Sequence, residues 1–136
     1  MSHTMPIVNL TKKTWLATKV GKADNFLTRL IGLLRRKKLG VEEALWIVPS
    51  KGIHTIGMKF PIDVLFLDKE NKVIKAIADL TPNRATGVYL RAHSVLELAT
   101  RTIAKSHTTL GDRLEISLAE SFAIDDLNES ALNQIG

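Results

Sequence analysis

Apolar residues crowd most densely between Ile53 and Asp68, and the sharpest pattern in the chain runs from Ile62 to Leu67. Five of those six residues are apolar and they fall on both alternating faces, which predicts a strand covered on both sides. Asp63 interrupts the run, and His54 lies just upstream. Asp68-Lys69-Glu70-Asn71-Lys72 reads as a polar turn in which Asn71 tolerates a positive φ. Lys72 to Leu80 then returns as the partner strand, so 62–67 and 73–78 predict a hairpin.

The flanking pattern is mostly of period two. Ile7 to Leu10 and Thr14 to Val20 predict two short strands around a turn at Lys12-Lys13, with β-branched and aromatic content favouring strand over helix. Ala44 to Val48, containing Trp46, and Ser94 to Leu98, containing Glu97, predict two more. Arg113 to Leu118 alternates cleanly as a half-exposed strand after a turn at Leu110-Gly111-Asp112. Pro49 to Gly52 and Thr81 to Gly87 read as loops, and Val88 to Leu90 as a brief pairing. Ala99 to Ser106 predicts a short helix.

One segment changes period. Asp24 is a suitable N-cap for a helix over 25–36, where Phe26, Leu27, Leu30, Ile31, Leu33 and Leu34 make a wide apolar stripe. Gly32 inside that stripe costs about 1 kcal/mol against alanine, which predicts close backbone packing there. Arg35, Arg36, Lys37 and Lys38 follow at the negative end of the helix dipole.

The strands do not alternate with helices as βαβ units would. The expected fold is therefore mainly β (α+β): a sandwich or partly open barrel with one flanking amphipathic helix. Residues 7–118 are expected to form one domain, 1–6 an N-terminal extension or tag remnant, and 119–136 an acidic tail that either frays or docks as a short helix.

Composition narrows this further. The 136 residues are 45% hydrophobic and 24% charged, the balance of an ordinary globular domain. The absence of cysteine removes disulfides, thiolate metal sites and a cysteine nucleophile. No leader-like pattern opens the chain and no helical stretch approaches the ~20 apolar residues that a membrane span needs. A cytoplasmic location is the expectation. A formal net charge of +5 permits anionic partners, but a lysine-rich surface accounts for it as well.

The candidate chemistry gathers on His54, Thr55, Asp63, Glu97 and Asp112. Asp63 and Glu97 are the residue types for paired acid–base work, with His54 beside them. The structural alternative has Asp63 tying down loop amides and Glu97 pairing with an arginine such as Arg29. His54 and Met58 offer a nitrogen and a thioether, but Gly57 and Pro61 predict extended chain, which places residues four apart ~13 Å from each other. No metal site is expected. No serine elbow, phosphate-binding glycine loop or dinucleotide fingerprint occurs, so no cofactor is expected. The first reading is a non-enzymatic module binding a small polar ligand or a protein partner. The alternative is a hydrolase or isomerase using His54 with Asp63 or Glu97. A weaker one is nucleic-acid binding through Arg35, Arg36, Lys37 and Lys38, against which stands the scarcity of aromatic residues; Trp46, Phe60 and Phe66 look like core.

Several segments resemble a known group in the same order: Arg29 to Arg36, Ile53-His54-Thr55, Met58 to Asp68, Val95 to Leu98, and Leu110 to Leu114. The chain resembles the domain of unknown function 192 family, also called uncharacterised protein family 0127, over roughly Trp15 to Leu118. The resemblance implies a compact jelly-roll-like sandwich with a flanking helix and implies no established activity. Leu34 stands where many relatives carry methionine, and Ser50 where some carry cysteine. Many relatives also carry an export signal or lipoprotein leader; none is expected for this chain.

Overall fold

The computed structural model describes residues 7–23, 39–117 and 122–123. The helix expected over 25–36, with the basic run Arg35–Lys38 and Arg29, lies outside them. The described residues form nine strands: β1 (Ile7–Asn9), β2 (Thr14–Ala17), β3 (Lys19–Ala23), β4 (Glu43–Ile47), β5 (Ile62–Leu67), β6 (Val73–Leu80), β7 (Ser94–Leu98), β8 (Leu114–Ile116) and β9 (Phe122–Ala123). Among them one short helix, α1 (Thr102–Ser106), follows β7.

β5 is buried along its whole length, as its doubly apolar pattern requires. It pairs antiparallel with β6 and β7 inside a sheet ordered β6-β5-β7-β4-β3-β9. The predicted hairpin forms, and Asn71 at its turn has φ 61°. Ile62, Val64 and Phe66 face one core with Leu45, Ile47 and Val95. Leu65 and Leu67 face a second core with Ala44, Leu96 and Leu98.

The two faces are covered in different ways. A three-stranded sheet ordered β2-β1-β8 supplies Ile7, Leu16 and Leu114 to the second core, with Ile103 of α1 beside them. The first core is closed by irregular chain: Ile53, Met58 and Phe60 from one loop, Tyr89 and Ala92 from another. Tyr89 lies against Phe66 with ring centroids 4.6 Å apart. These loops run side by side through hydrogen bonds such as Thr55 N–H to the Arg84 carbonyl (2.7 Å) and Tyr89 N–H to the Lys51 carbonyl (2.9 Å). They approach so closely that a Cβ on Gly52 would meet the Gly87 carbonyl oxygen at 2.9 Å.

Four expectations change. The strand expected over 14–20 is two strands in different sheets, β2 and β3. They are separated by a corner at Thr18, whose N–H and that of Lys19 both donate to the Glu42 carbonyl. Sandwich corners are made by strands that change sheet in this way. β3 pairs parallel with both β4 and β9, which departs from the antiparallel pairing of a jelly roll; the described strands form a two-sheet, mainly β fold with no closed barrel. Phe122–Ala123, in the segment expected to be a helix or a frayed tail, adds a strand to β3. Trp46 is half-buried rather than core, with the Lys22 ammonium 5.8 Å from its ring centroid.

Truncating Phe66 tests the doubly covered strand. Phe66→Ala is expected to lower unfolding free energy by about 3–5 kcal/mol, read as a shifted urea midpoint with unchanged slope.

Candidate functional site

The five polar candidates divide among separate surroundings. Asp63 is fully buried on β5. One carboxylate oxygen accepts the Asp79 N–H (3.0 Å) and the other the Ile103 N–H (2.8 Å), so Asp63 joins a bulge in β6 to the first turn of α1. This is the structural role weighed against catalysis in the sequence. Glu97 is also fully buried, but directly opposite Val64, whereas Asp63 is opposite Leu98. Opposed residues share a face. Val64 belongs to one core and Leu98 to the other, so Asp63 and Glu97 point to opposite sides of the sheet and do not act as a carboxylate pair.

Thr55 is fully buried in the loop that covers the first core. Its hydroxyl donates to the Thr81 carbonyl (2.7 Å) and accepts the Arg84 N–H (2.9 Å), clamping one loop to the other. His54, half-buried beside it, accepts the Ile56 N–H at Nδ1 (3.2 Å). Gly57 at φ 85° turns the chain here, so Met58 enters the core while His54 stays on the loop.

Asp112 lies elsewhere, at the junction of β1 with the turn before β8. It accepts the Asn9 amide (2.9 Å), the Lys12 ammonium (2.7 Å) and the Thr109 N–H (3.0 Å). Burial alone would raise its pKa. The donors of Lys12, Asn9 and Thr109 outweigh burial and hold the carboxyl below its ordinary value. Asp68, in the hairpin turn, shows the same contest. Burial raises it, while the N–H groups of Lys72 and Glu70 and the charges of Lys72 and Arg113 bring it down. Among the described residues, no three His, Asp or Glu side chains converge as metal ligands would.

Among the described residues, two depressions that open to solvent bear on the site. One, of about 590 Å³, has Lys51, Asp68, Lys69, Glu70 and Arg91 on its walls, so charges of both signs face one another. Lys51 is further committed to the carbonyls of Leu90 and Ala92, each at 2.8 Å. The other is a cleft of about 440 Å³ between β2 and α1, lined by Lys13, Thr14, Trp15, Val41, Thr102 and Lys105, with Leu16 and Thr100. Its two walls are held together from beneath. Thr14 Oγ1 donates to the Ser106 carbonyl (2.7 Å), and Asp63 holds the start of α1. Trp15 remains 46% exposed there, while Thr102 is 8% exposed. Among the described residues the side chains of Lys13, Trp15, Thr102 and Lys105 make no hydrogen bond or ion pair, although the Thr102 carbonyl accepts the Ser106 hydroxyl.

The cleft residues carry no motif. The sequence signal was a tryptophan beside Lys12-Lys13 on a short strand. The opposite wall comes from Thr100 to Lys105, far along the chain.

The family model described as DUF192, “Uncharacterized ACR”, matches residues 7–116. The chain belongs to the DUF192 family. A UPF0127 protein of Pyrococcus furiosus is 30% identical over 117 residues, covering 80% of this chain and 96% of that protein. The DUF192 fold is also seen in a crystal structure of a protein of unknown function from Novosphingobium aromaticivorans. The TM-score is 0.65 and the identity 21%, over 81% of this chain and 83% of that one. A putative transcription regulator from Sinorhizobium meliloti matches with a TM-score of 0.59 and 19% identity, over 71% and 80% of the two chains. At these identities the likeness of this DUF192 chain to both structures concerns the fold.

Two measurements check the roles of the buried acids. Asp63→Ala leaves two N–H groups without their acceptor and is expected to cost on the order of 2–4 kcal/mol in chemical denaturation, with Asp63→Asn retaining part of the loss. Asp112 has a folded pKa below the reference value of 3.8. Its contribution is complete above the unfolded pKa and is lost as pH falls through the lower, folded one. Denaturation midpoints of the native protein and Asp112→Asn are therefore expected to differ at pH 7 and to converge as pH falls below about 4.

Proposed function

We propose that the protein is a non-enzymatic module that binds a small polar ligand, and that it does so in the cleft between β2 and α1 rather than around His54. The observation that carries this reading is the difference in commitment of the polar groups. Asp63, Thr55 and Asp112 spend their hydrogen-bonding capacity on backbone and neighbouring side chains. Lys13, Trp15, Thr102 and Lys105 hold theirs toward an open cleft. A volume of about 440 Å³ suits a single small molecule, given that ligand pockets span roughly 300–1,000 Å³.

The commitment of both Asp63 carboxylate oxygens to the N–H groups of Asp79 and Ile103 weakens the reading of a hydrolase or isomerase using His54 with Asp63, because a general base needs a free lone pair within reach of the reacting proton.

A thermal-shift screen of metabolites, sugars and nucleotides tests the proposal. At least one compound is expected to raise the melting temperature. Trp15→Ala is expected to remove the rise, and His54→Ala to leave it in place. A rise that depends on His54 and survives Trp15→Ala would place the site elsewhere. Turnover of the bound compound would make the protein an enzyme.

A further inference from the structure

The cleft also constrains what it binds, and we infer that its ligand is a small anion carrying a planar ring, an aromatic carboxylate or phosphate. The charge sits at Lys13 and Lys105 and the ring against Trp15. This rests on the preceding assignment of the cleft as the binding site.

Charge comes first. Lys13 and Lys105 both line the cleft, and among the described residues no aspartate or glutamate lines it with them. Like charges focused by a concave low-dielectric surface raise the local concentration of the opposite ion. The larger depression does not do this, because Asp68 and Glu70 stand among its cations. Among the described residues no carboxylate holds either ammonium of the cleft, whereas Lys12, one residue away, is paired with Asp112 at 2.7 Å.

The apolar wall comes next. Trp15, 46% exposed, and Val41, 65% exposed, stand on the cleft beside the buried Leu16. A bare inorganic anion would leave that surface wet. A planar ring would cover it, and an indole face accepts both ring stacking and a cation close by. Thr102 supplies the third requirement. The residue is only 8% exposed and lines the cleft, and among the described residues its hydroxyl has no partner. A hydroxyl both donates and accepts, so it can bond an anion oxygen or a polar atom on the ring. The three features converge on one molecule with a charged end and a flat end.

The test uses the full chain, with binding read by calorimetry and by tryptophan fluorescence. Indole-3-acetate and adenosine monophosphate are the ring-bearing anions, one a carboxylate and one a phosphate. Adenosine supplies a ring without charge, and acetate and inorganic phosphate supply charge without a ring. At least one ring-bearing anion is expected to bind tenfold or more tightly than its uncharged or ringless counterparts, and to weaken as salt is added. Lys13→Asn, which keeps a residue tolerant of the φ of 60° found there, and Lys105→Gln are each expected to weaken it about 3- to 10-fold. Trp15→Phe is expected to remove the fluorescence change. Lys69→Ala, which deletes one positive charge outside the cleft, is expected to leave the affinity unchanged. Adenosine binding as tightly as its monophosphate, with Trp15 still reporting, would keep the cleft as a binding site and overturn the anion. No binding by either ring-bearing anion would overturn it too. Binding insensitive to Lys13, Lys105 and Trp15 alike would overturn both this inference and the assignment of the cleft.

Discussion

A strand that is apolar on both faces forces its sheet to be covered twice, and the rest of the molecule follows from that demand on β5. One face receives a second sheet, whose inter-strand ladder satisfies its backbone. The other receives two loops, which have no ladder of their own. Buried loop backbone still needs partners. Side chains provide them: the Thr55 hydroxyl serves Thr81 and Arg84, the Thr86 hydroxyl serves both polar groups of Ile53, and the Lys51 ammonium serves Leu90 and Ala92. The polar residues around the densest apolar stretch therefore mark where irregular chain has been buried.

Elements with a local signal were legible in the sequence. The hairpin of β5 and β6, the strand β7 and the short α1 each announce themselves by period and by turn residues within a few positions. The break between β2 and β3 did not, because the alternation carries through the corner: Leu16 and Val20, on one face of the strand expected over 14–20, enter the same core. The parity of Asp63 and Glu97 was also invisible. Which face each occupies depends on the register of β5 against β7, and a shift of one residue would have reversed the answer.

The site was legible only in pieces. Asp63 drew attention as a carboxylate in an apolar run, and its importance is real but indirect. By holding the N–H of Ile103 it positions α1, and with it the cleft wall that carries Thr102 and Lys105. Thr14 does the same from the other side through the Ser106 carbonyl. Rigid supports of this kind let exposed side chains keep a fixed spacing. Trp15 and Lys13 looked like an ordinary strand and turn, since nothing near them in the chain reveals what faces them.

The pairing of β1 with β8 has a kinetic meaning. Asn9 meets Asp112, 103 positions further along the chain. Contacts so far apart in sequence carry a large loop-closure cost until the segments between them have condensed, so the small sheet belongs to the late stages of folding while the β5–β6 hairpin can form early. The cleft has β2 of that small sheet as one wall. Its geometry is completed only when the first strand of the chain finds a strand from beyond the hundredth residue, which ties the appearance of a binding surface to the closing step of assembly.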